Sequence, residues 1–129
     1  MLMLSIAATG TMTYQAMVAA AHLQTQGIQA EVLHVPTVKP LDAATILASV
    51  RKTGAIVTAE EGQINGGLGG AIAELLAEQA PTPLRRIGVR DRFGESGEPN
   101  ELLEHFGLTA KHIEAACHEL LDERRRREG

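Results

Sequence analysis

Residues 37–72 read TVKPLDAATILASVRKTGAIVTAEEGQINGGLGGAI and carry a helix, a strand and a glycine-rich turn in succession. Asp42 suits the N-cap of the helix, because its carboxylate can accept a hydrogen bond from a free backbone N–H of the first turn. Gly54 suits the end of that helix. Residues 55–59 are apolar and partly β-branched, as in a buried strand. The stretch therefore predicts a helix–strand–helix unit of an α/β fold.

The same alternation of strands and helices continues on both sides of this unit. Strands are predicted at residues 2–8, 30–35, 55–59 and 84–89. Each helix has apolar residues at i, i+3, i+4 and i+7, a stripe typical of a helix packed on a sheet: Tyr14, Met17, Val18 and Ala21 in the first, Ala43, Ile46, Leu47 and Val50 in the second, Leu68, Ala71, Ile72 and Leu75 in the third, and Ile113, Ala116, Cys117 and Leu120 in the last.

Strands that alternate with helices are joined by right-handed crossovers, which makes the strands parallel. We therefore expect residues 1–129 to form a single α/β domain of three layers (α/β/α), with a mostly parallel sheet of four to five strands and a charged C-terminal tail at 122–129. Residues 90–99 (RDRFGESGEP) are predicted as an ordered turn or surface loop, and 100–106 as a short helix.

Composition and charge exclude several classes of protein. The net charge of −4 disfavours a nucleic-acid backbone as partner, and one Tyr, two Phe and no Trp leave little surface for base stacking. No apolar run approaches the roughly 20 residues of a membrane span, and the first residues lack the basic region of a signal peptide. The single cysteine, Cys117, fits a reducing compartment. We expect a cytoplasmic protein that contacts neither nucleic acid nor membrane.

Two adjacent acidic residues, Glu60 and Glu61, follow the third predicted strand. Neighbours on a strand point to opposite faces of the sheet, so this pair does not form a general acid and base by itself. One interpretation is structural: one carboxylate accepts hydrogen bonds from backbone N–H groups of the glycine-rich turn. The other is functional: one of the two side chains faces a neighbouring domain or a ligand.

The glycine-rich turn, with Gly66, Gly67 and Gly69, invites comparison with phosphate-binding loops, since helix N-termini offer converging N–H donors. A Walker loop needs Lys and Ser or Thr after its last glycine, whereas Ala-Ile follows here. A dinucleotide loop needs several glycines after the first strand, where this chain has Gly10 beside Thr9. Close packing of helix on strand is favoured at both turns, and these strand-end residues are candidates for domain contact or anion binding.

No set of residues in the sequence combines a nucleophile, a base and an orienting group. The five histidines do not follow a metal-ligand spacing. Cys117 lies on an apolar helix stripe, where a small buried side chain is typical. The pattern therefore predicts no catalytic, cofactor-binding or metal-binding residue.

Several blocks together resemble the C-terminal domain of transketolase. They are IAATG at 6–10, TVKPLD at 37–42, KTGAIVTAEEG at 52–62, GGLGGAIAELL at 66–76 and RIGVRDRFGESGEPNELLEHFGLTAKHI at 86–113. The resemblance covers nearly the whole chain, and its motifs stand in the family's order. The same domain is also the C-terminal domain of deoxyxylulose-phosphate synthases and of the beta subunits of 2-oxo-acid dehydrogenases. The FGESG block favours transketolase, whereas Gly62, where many transketolase-like members have histidine, resembles the dehydrogenases.

The resemblance implies a non-catalytic C-terminal domain or subunit of an enzyme that transfers a two-carbon ketol unit between sugar phosphates, in the pentose phosphate pathway. In that family thiamine diphosphate and Mg²⁺ are held by the two other domains. The resemblance therefore implies no cofactor bound by this chain and catalytic residues outside it. It also implies two kinds of partner: the thiamine-binding N-terminal and middle domains or subunit, and a second copy in a homodimer.

Three alternatives stay open. The first is the C-terminal domain of a 2-oxo-acid dehydrogenase beta subunit or of a deoxyxylulose-phosphate synthase. The second is a freestanding α/β module that binds an anion at the turns of residues 9–13 or 61–70. The third is that the surface which normally meets other domains drives self-association, since exposed apolar patches behave as interfaces.

Overall fold

The computed structural model describes residues 2–63, 67–89 and 109–128. In chain order, the described elements are β1 (Leu2–Ala8), α1 (Met12–Thr25), β2 (Ile28–His34), α2 (Ala43–Thr53), β3 (Ile56–Gln63), α3 (Leu68–Gln79), β4 (Leu84–Val89) and α4 (Ala110–Glu128). β1 and β4 have the predicted bounds, while β2 begins earlier than predicted and β3 continues past the two glutamates. The loop predicted at 90–99 and the short helix at 100–106 lie outside the described residues.

The described strands form one sheet in the order β2-β1-β3-β4, and every neighbouring pair is parallel. β1 is central: Leu4 pairs with Ala30 of β2, and Ser5 pairs with Ile56 of β3. β2 lies on one side of β1 in the sheet, and β3 lies on the other side. The direction in which successive strands are added therefore reverses between β1 and β3. The predicted α/β fold with a parallel sheet is confirmed.

Apolar side chains on the two faces of the sheet build two separate cores, which makes three layers. The first core joins Leu4 of β1 to α1 and α4 through residues such as Met12 and Ile113. The second joins Ile56 of β3 to α2 and α3 through residues such as Ile46. Each core removes apolar surface from water on one face of the sheet, at roughly 25 cal/mol per Å².

Both ends of α2 are as the sequence predicts. The side chain of Asp42 accepts hydrogen bonds from the backbone N–H of Thr45 at 3.3 Å and from its hydroxyl at 2.7 Å. Gly54 has a φ of 79°, the left-handed conformation that ends many helices, and its N–H donates to the carbonyl of Val50 at 2.8 Å. Local capping signals therefore fix the entry into β3.

The periodicity of α1 predicts that its apolar stripe packs on the sheet, but this stripe is exposed to solvent. Its buried residues are Met12, Ala16, Ala19 and Leu23. Tyr14, Met17 and Val18 are 68%, 59% and 42% exposed, and Ala21 is exposed as well. The prediction that this stripe packs on the sheet is wrong, because α1 has two apolar faces and the one with two buried alanines approaches the strands closely.

α4 continues through the basic run predicted as a charged tail. Arg85 of β4 pairs with Glu123, and Arg124 donates a hydrogen bond to the carbonyl oxygen of Thr53 at 2.9 Å. These contacts tie the last turns of the helix to β4 and to the end of α2. α4 has 19 residues, yet no helix in the described part of the chain is long and apolar enough to cross a membrane.

Candidate functional site

The predicted strand-end residues gather where β1 and β3 end side by side. Thr9 donates its backbone N–H to the carbonyl oxygen of Ala59 at 3.2 Å, which holds the turn after β1 against β3. Because the winding reverses between these two strands, this is the position at which open α/β sheets bind ligands. We call the region the strand-end edge; it comprises Thr9, Gly10, Glu60, Glu61 and Gly67.

Glu60 is the buried member of the acidic pair, with 4% of its surface exposed. Its carboxylate oxygens accept hydrogen bonds from the backbone N–H groups of Leu68 and Gly69, each at 2.8 Å. N–H groups in the first turn of a helix have no partner within the helix, and the negative charge also lies at the positive end of the helix dipole. Glu60 thus takes the structural role considered for one glutamate of the pair.

The glycine-rich turn approaches the sheet closely at Gly69. A Cβ atom there would lie 2.8 Å from Thr58 Oγ1 and 2.8 Å from Arg86 Cδ, which is shorter than real Cβ contacts. Gly67 is the N-cap of α3 and has no side chain to supply a cap bond, so Glu60 supplies it from the strand. Gly66 lies outside the described residues. Close packing of α3 on the sheet explains the glycine at position 69, and this is the interpretation that the sequence favours.

Glu61 is exposed next to the buried Glu60. The pairing of β3 with β4 is irregular between Ala59 and Gln63, in the part of the strand that holds both glutamates. Glu61 therefore presents a carboxylate to solvent at the strand-end edge, available to a neighbouring domain or subunit.

The turn between β1 and α1 is closed by backbone rather than by threonine side chains. The N–H groups of Met12 and Thr13 donate to the carbonyl oxygens of Thr9 and Gly10, at 3.1 and 3.2 Å. Thr11 stands at the N-cap of α1 but its side chain makes no cap bond. Thr13 bonds His34 Nδ1 at 2.8 Å instead. α1 therefore begins without a side-chain cap from Thr11.

Thiamine diphosphate with Mg²⁺, which the family resemblance implies for the assembled enzyme, does not fit this edge of the chain. A diphosphate needs free N–H donors, and the carboxylate of Glu60 already accepts those of Leu68 and Gly69. Mg²⁺ needs several oxygen ligands. Within residues 2–63, 67–89 and 109–128, no group of three His, Cys, Asp or Glu side chains is placed to hold a metal ion.

A buried hydroxyl cluster, which the sequence analysis does not anticipate, links β1 to α2. Ser5 Oγ lies 2.6 Å from Ser49 Oγ and 2.7 Å from Thr53 Oγ1, and Thr53 Oγ1 donates to the carbonyl oxygen of Ala55 at 3.2 Å. Ser49 and Thr53 are four residues apart in the sequence, and this spacing indicates that their hydroxyls lie on one face of α2. Because the hydroxyls satisfy one another away from solvent, their role is structural.

Cys117 is the buried residue that its apolar stripe predicts. Burial, together with the negative charge of Glu114, raises the pKa of the Cys117 thiol to about 12. A thiol reacts as its thiolate, so this side chain is unreactive at neutral pH.

Comparison with known proteins identifies a family and relatives. A family model described as the C-terminal domain of transketolase matches residues 3–113. The chain is 56% identical over 118 residues to the 6-deoxy-6-sulfo-D-fructose transketolase subunit of Clostridium sp. (strain MSTE9), covering 92% of this chain and 37% of that subunit. It is 42% identical over 119 residues to 1-deoxy-D-xylulose-5-phosphate synthase 1 of Geobacter sulfurreducens, covering 91% of this chain and 19% of the synthase.

A solved structure agrees with both the fold and the family. It is described as a split-gene transketolase in an inactive beta4 tetramer, and it superimposes with a TM-score of 0.89 at 46% identity. The superposition covers 92% of this chain and 39% of that chain. The chain therefore spans little more than a third of the transketolase subunits that it matches.

Proposed function

This chain belongs to the transketolase C-terminal domain family, and we propose that it is the non-catalytic C-terminal component of an enzyme that transfers two-carbon ketol units. The observation that carries the proposal is the match to this domain over residues 3–113, in a chain that spans 37% of the sulfosugar transketolase subunit. The strand-end edge supports a non-catalytic role, because its buried carboxylate is used to start α3.

The proposed substrates are ketoses and aldoses that carry an anionic group. Sugar phosphates are the substrates that the resemblance implies, and the relative with 56% identity is named for a sugar with a sulfo group at carbon 6. Phosphate and sulfonate are both tetrahedral anions, so one class of sugar covers both. The groups that bind the sugar belong to the remainder of the enzyme in this proposal.

Thiamine diphosphate and Mg²⁺ are cofactors of the assembled enzyme in this proposal. They supply the carbanion chemistry that moves the two-carbon unit. Their site lies in the thiamine-binding domains, which are the partner of this chain, as separate subunit or as neighbouring domains. The buried thiol of Cys117 is compatible with the reducing cytoplasm as the place of assembly.

The strand-end edge is the surface that we assign to the thiamine-binding partner. Its support is the position of Glu61, which is exposed at the carboxyl end of β3, beside the exposed Gly10 at the turn after β1. In open α/β sheets, this end of the strands carries the contacts that matter for function.

Capture by the partner tests this assignment. A tagged chain carrying the two thiamine-binding domains is mixed with this chain and with two charge-reversed variants. Glu61→Lys places an opposite charge on the strand-end edge, whereas Glu78→Lys makes the same change at an exposed position late in α3. We expect capture of wild type and of Glu78→Lys, and at least about tenfold weaker capture of Glu61→Lys. Equal capture of the two variants, or none of wild type by an active partner, would contradict the proposal.

A deoxyxylulose-phosphate synthase is the second candidate enzyme. Its support is the 42% identity to the Geobacter sulfurreducens synthase. The identity to the sulfosugar transketolase subunit is 56% over a similar length, and this difference favours transketolase. A freestanding anion-binding module has less support, because Glu60 occupies the donors at the start of α3.

A further inference from the structure

β3 is irregular in the part that holds both glutamates. Its pairing with β1 is regular as far as Ala59. From Ala59 to Gln63, β3 advances four residues while β4 advances two, from Ile87 to Val89, so β3 carries a bulge there. A bulge interrupts the ladder of backbone hydrogen bonds and re-aims the side chains of its residues. The ladder therefore does not by itself fix the directions in which the two glutamates point.

The start of α3 depends on a group from outside the helix. Its N-cap, Gly67, has no side chain, and its first turn has no acidic residue. α2, by contrast, is capped by the side chain of its own N-cap residue, Asp42. In α3 the two carboxylate oxygens of Glu60 accept hydrogen bonds from the N–H groups of Leu68 and Gly69, each at 2.8 Å. This carboxylate therefore links the bulge of β3 to the first turn of α3.

Two hydrogen bonds fix the bulge more firmly than one. A helix can pivot about a single bond, whereas two bonds to the oxygens of one planar carboxylate set both a distance and a direction. Glu60 is 4% exposed, so its own carboxylate does not reach a partner. Glu61 follows it in the chain and is exposed. The direction of the Glu61 side chain therefore depends on backbone that Glu60 anchors.

We propose that Glu60 is a positioning residue for a contact between Glu61 and a cationic side chain, Lys or Arg, of the thiamine-binding partner. The carboxylate of Glu60 holds the bulge against α3, and the bulge presents the carboxylate of Glu61 in one direction. A cation is the complementary group, since charged groups across an interface are arranged in opposite pairs. The inference rests on the proposed function, and it adds how the contact is held and which chemical group the partner supplies.

A double-mutant cycle on the affinity for the partner tests the inference. Titration calorimetry at pH 7 measures binding of the thiamine-binding chain to wild type, Glu60→Gln, Glu61→Gln and the double variant. Gln has the shape of Glu but carries an NH₂ group in place of one oxygen, so one of the two N–H donors of α3 loses its acceptor. We expect each single substitution to weaken binding about tenfold, and the double variant to bind within about twofold of Glu61→Gln, because Glu60 acts through Glu61.

A capped variant separates positioning from the stability of α3. Gly67→Ser gives the helix an N-cap side chain of its own, and the φ of −98° at Gly67 is open to other residues. We expect Glu60→Gln/Gly67→Ser to regain the urea midpoint that Glu60→Gln loses, but not the affinity for the partner. If Glu60→Gln alone does not fold, this variant takes its place in the cycle. Ile72→Val, at a buried position of α3, is the matched control: it lowers the urea midpoint and leaves the affinity unchanged.

The outcomes distinguish this inference from the proposed function. Effects of Glu60→Gln and Glu61→Gln that add, or affinity that returns with the stability in the capped variant, overturn the positioning role. Binding that Glu61→Gln weakens and Glu60→Gln leaves unchanged overturns the inference alone, and the strand-end edge stays assigned to the partner. Glu61→Gln that binds as wild type does overturns both the inference and that assignment. Wild type that does not bind a thiamine-binding chain loaded with its cofactor contradicts the proposed function itself.

Discussion

At the scale of single residues, Glu60 and Gly69 show what holds the start of α3 on the sheet. Strand alternation predicts that one glutamate of the pair turns inward, but the inner one could be named only once the register of β3 was known. That register depends on packing against α3, which is not a local property of the sequence. The closeness of Gly69 to Thr58 and Arg86 likewise arises from contacts distant in sequence.

Adjacent glycines of α3 are expected to respond oppositely to alanine. Gly69→Ala places a Cβ 2.8 Å from the buried Thr58 Oγ1, so it should lower the free energy of unfolding by about 1–3 kcal/mol. Gly70→Ala meets nothing within 4 Å and should raise it by about 0.5 kcal/mol, because alanine restricts the unfolded chain. Urea unfolding of the two variants measures both signs. Equal effects of the two variants would show that the turn is not closely packed.

At the scale of elements, α2 shows what the sequence predicts correctly, and α1 shows what it does not predict. The caps of α2 are local interactions between residues at most four apart, and both were predicted. The orientation of α1 was not, because a helix without Asp, Glu, Lys or Arg has no polar side to identify its outer face. Both of its stripes are apolar: Ala16 and Ala19 lie inward with Met12 and Leu23, whereas Tyr14 and Met17 lie outward.

Glu114 joins α4 to α1, and its protonation should loosen that contact. Its carboxylate bonds to His22 Nδ1 at 2.6 Å and accepts a hydrogen bond from Gln26 at 3.1 Å. The hydrogen bond with His22, helped by Gln26 and by the charge of His118, lowers the pKa of Glu114 against the opposing effect of burial. The resulting stability is present above the ordinary glutamate pKa of about 4.3 and is lost as the pH falls through the lowered pKa.

The variant Glu114→Gln measures this contribution. At neutral pH it should be less stable than wild type by up to about 1 kcal/mol, since His22 is 60% exposed and solvent screens the pair. The difference should shrink as the pH falls below about 4. Glu78→Gln, at an exposed position of α3, is the control and should leave the free energy of unfolding unchanged. A difference for Glu114→Gln that grows in acid would contradict the account.

At the scale of the whole molecule, the order of elements and the parallel sheet follow from hydrophobic periodicity, and the family follows from motifs spread along the chain. The meeting of Thr9 with the end of β3 also follows, since carboxyl ends of parallel strands share one edge. The exposure of the apolar side chains of Tyr14, Met17 and Val18 on α1 does not follow, because it depends on which surfaces the fold leaves uncovered.

Reconstitution of two-carbon transfer shows whether this chain works as the C-terminal component of a transketolase. This chain, a chain carrying the two thiamine-binding domains, and their mixture are each assayed with thiamine diphosphate and Mg²⁺. The donor is 6-deoxy-6-sulfo-D-fructose or a ketose phosphate, and the acceptor is an aldose phosphate. We expect transfer by the mixture and none by this chain alone. Transfer by this chain alone, or a mixture no more active than the thiamine-binding chain, would contradict it.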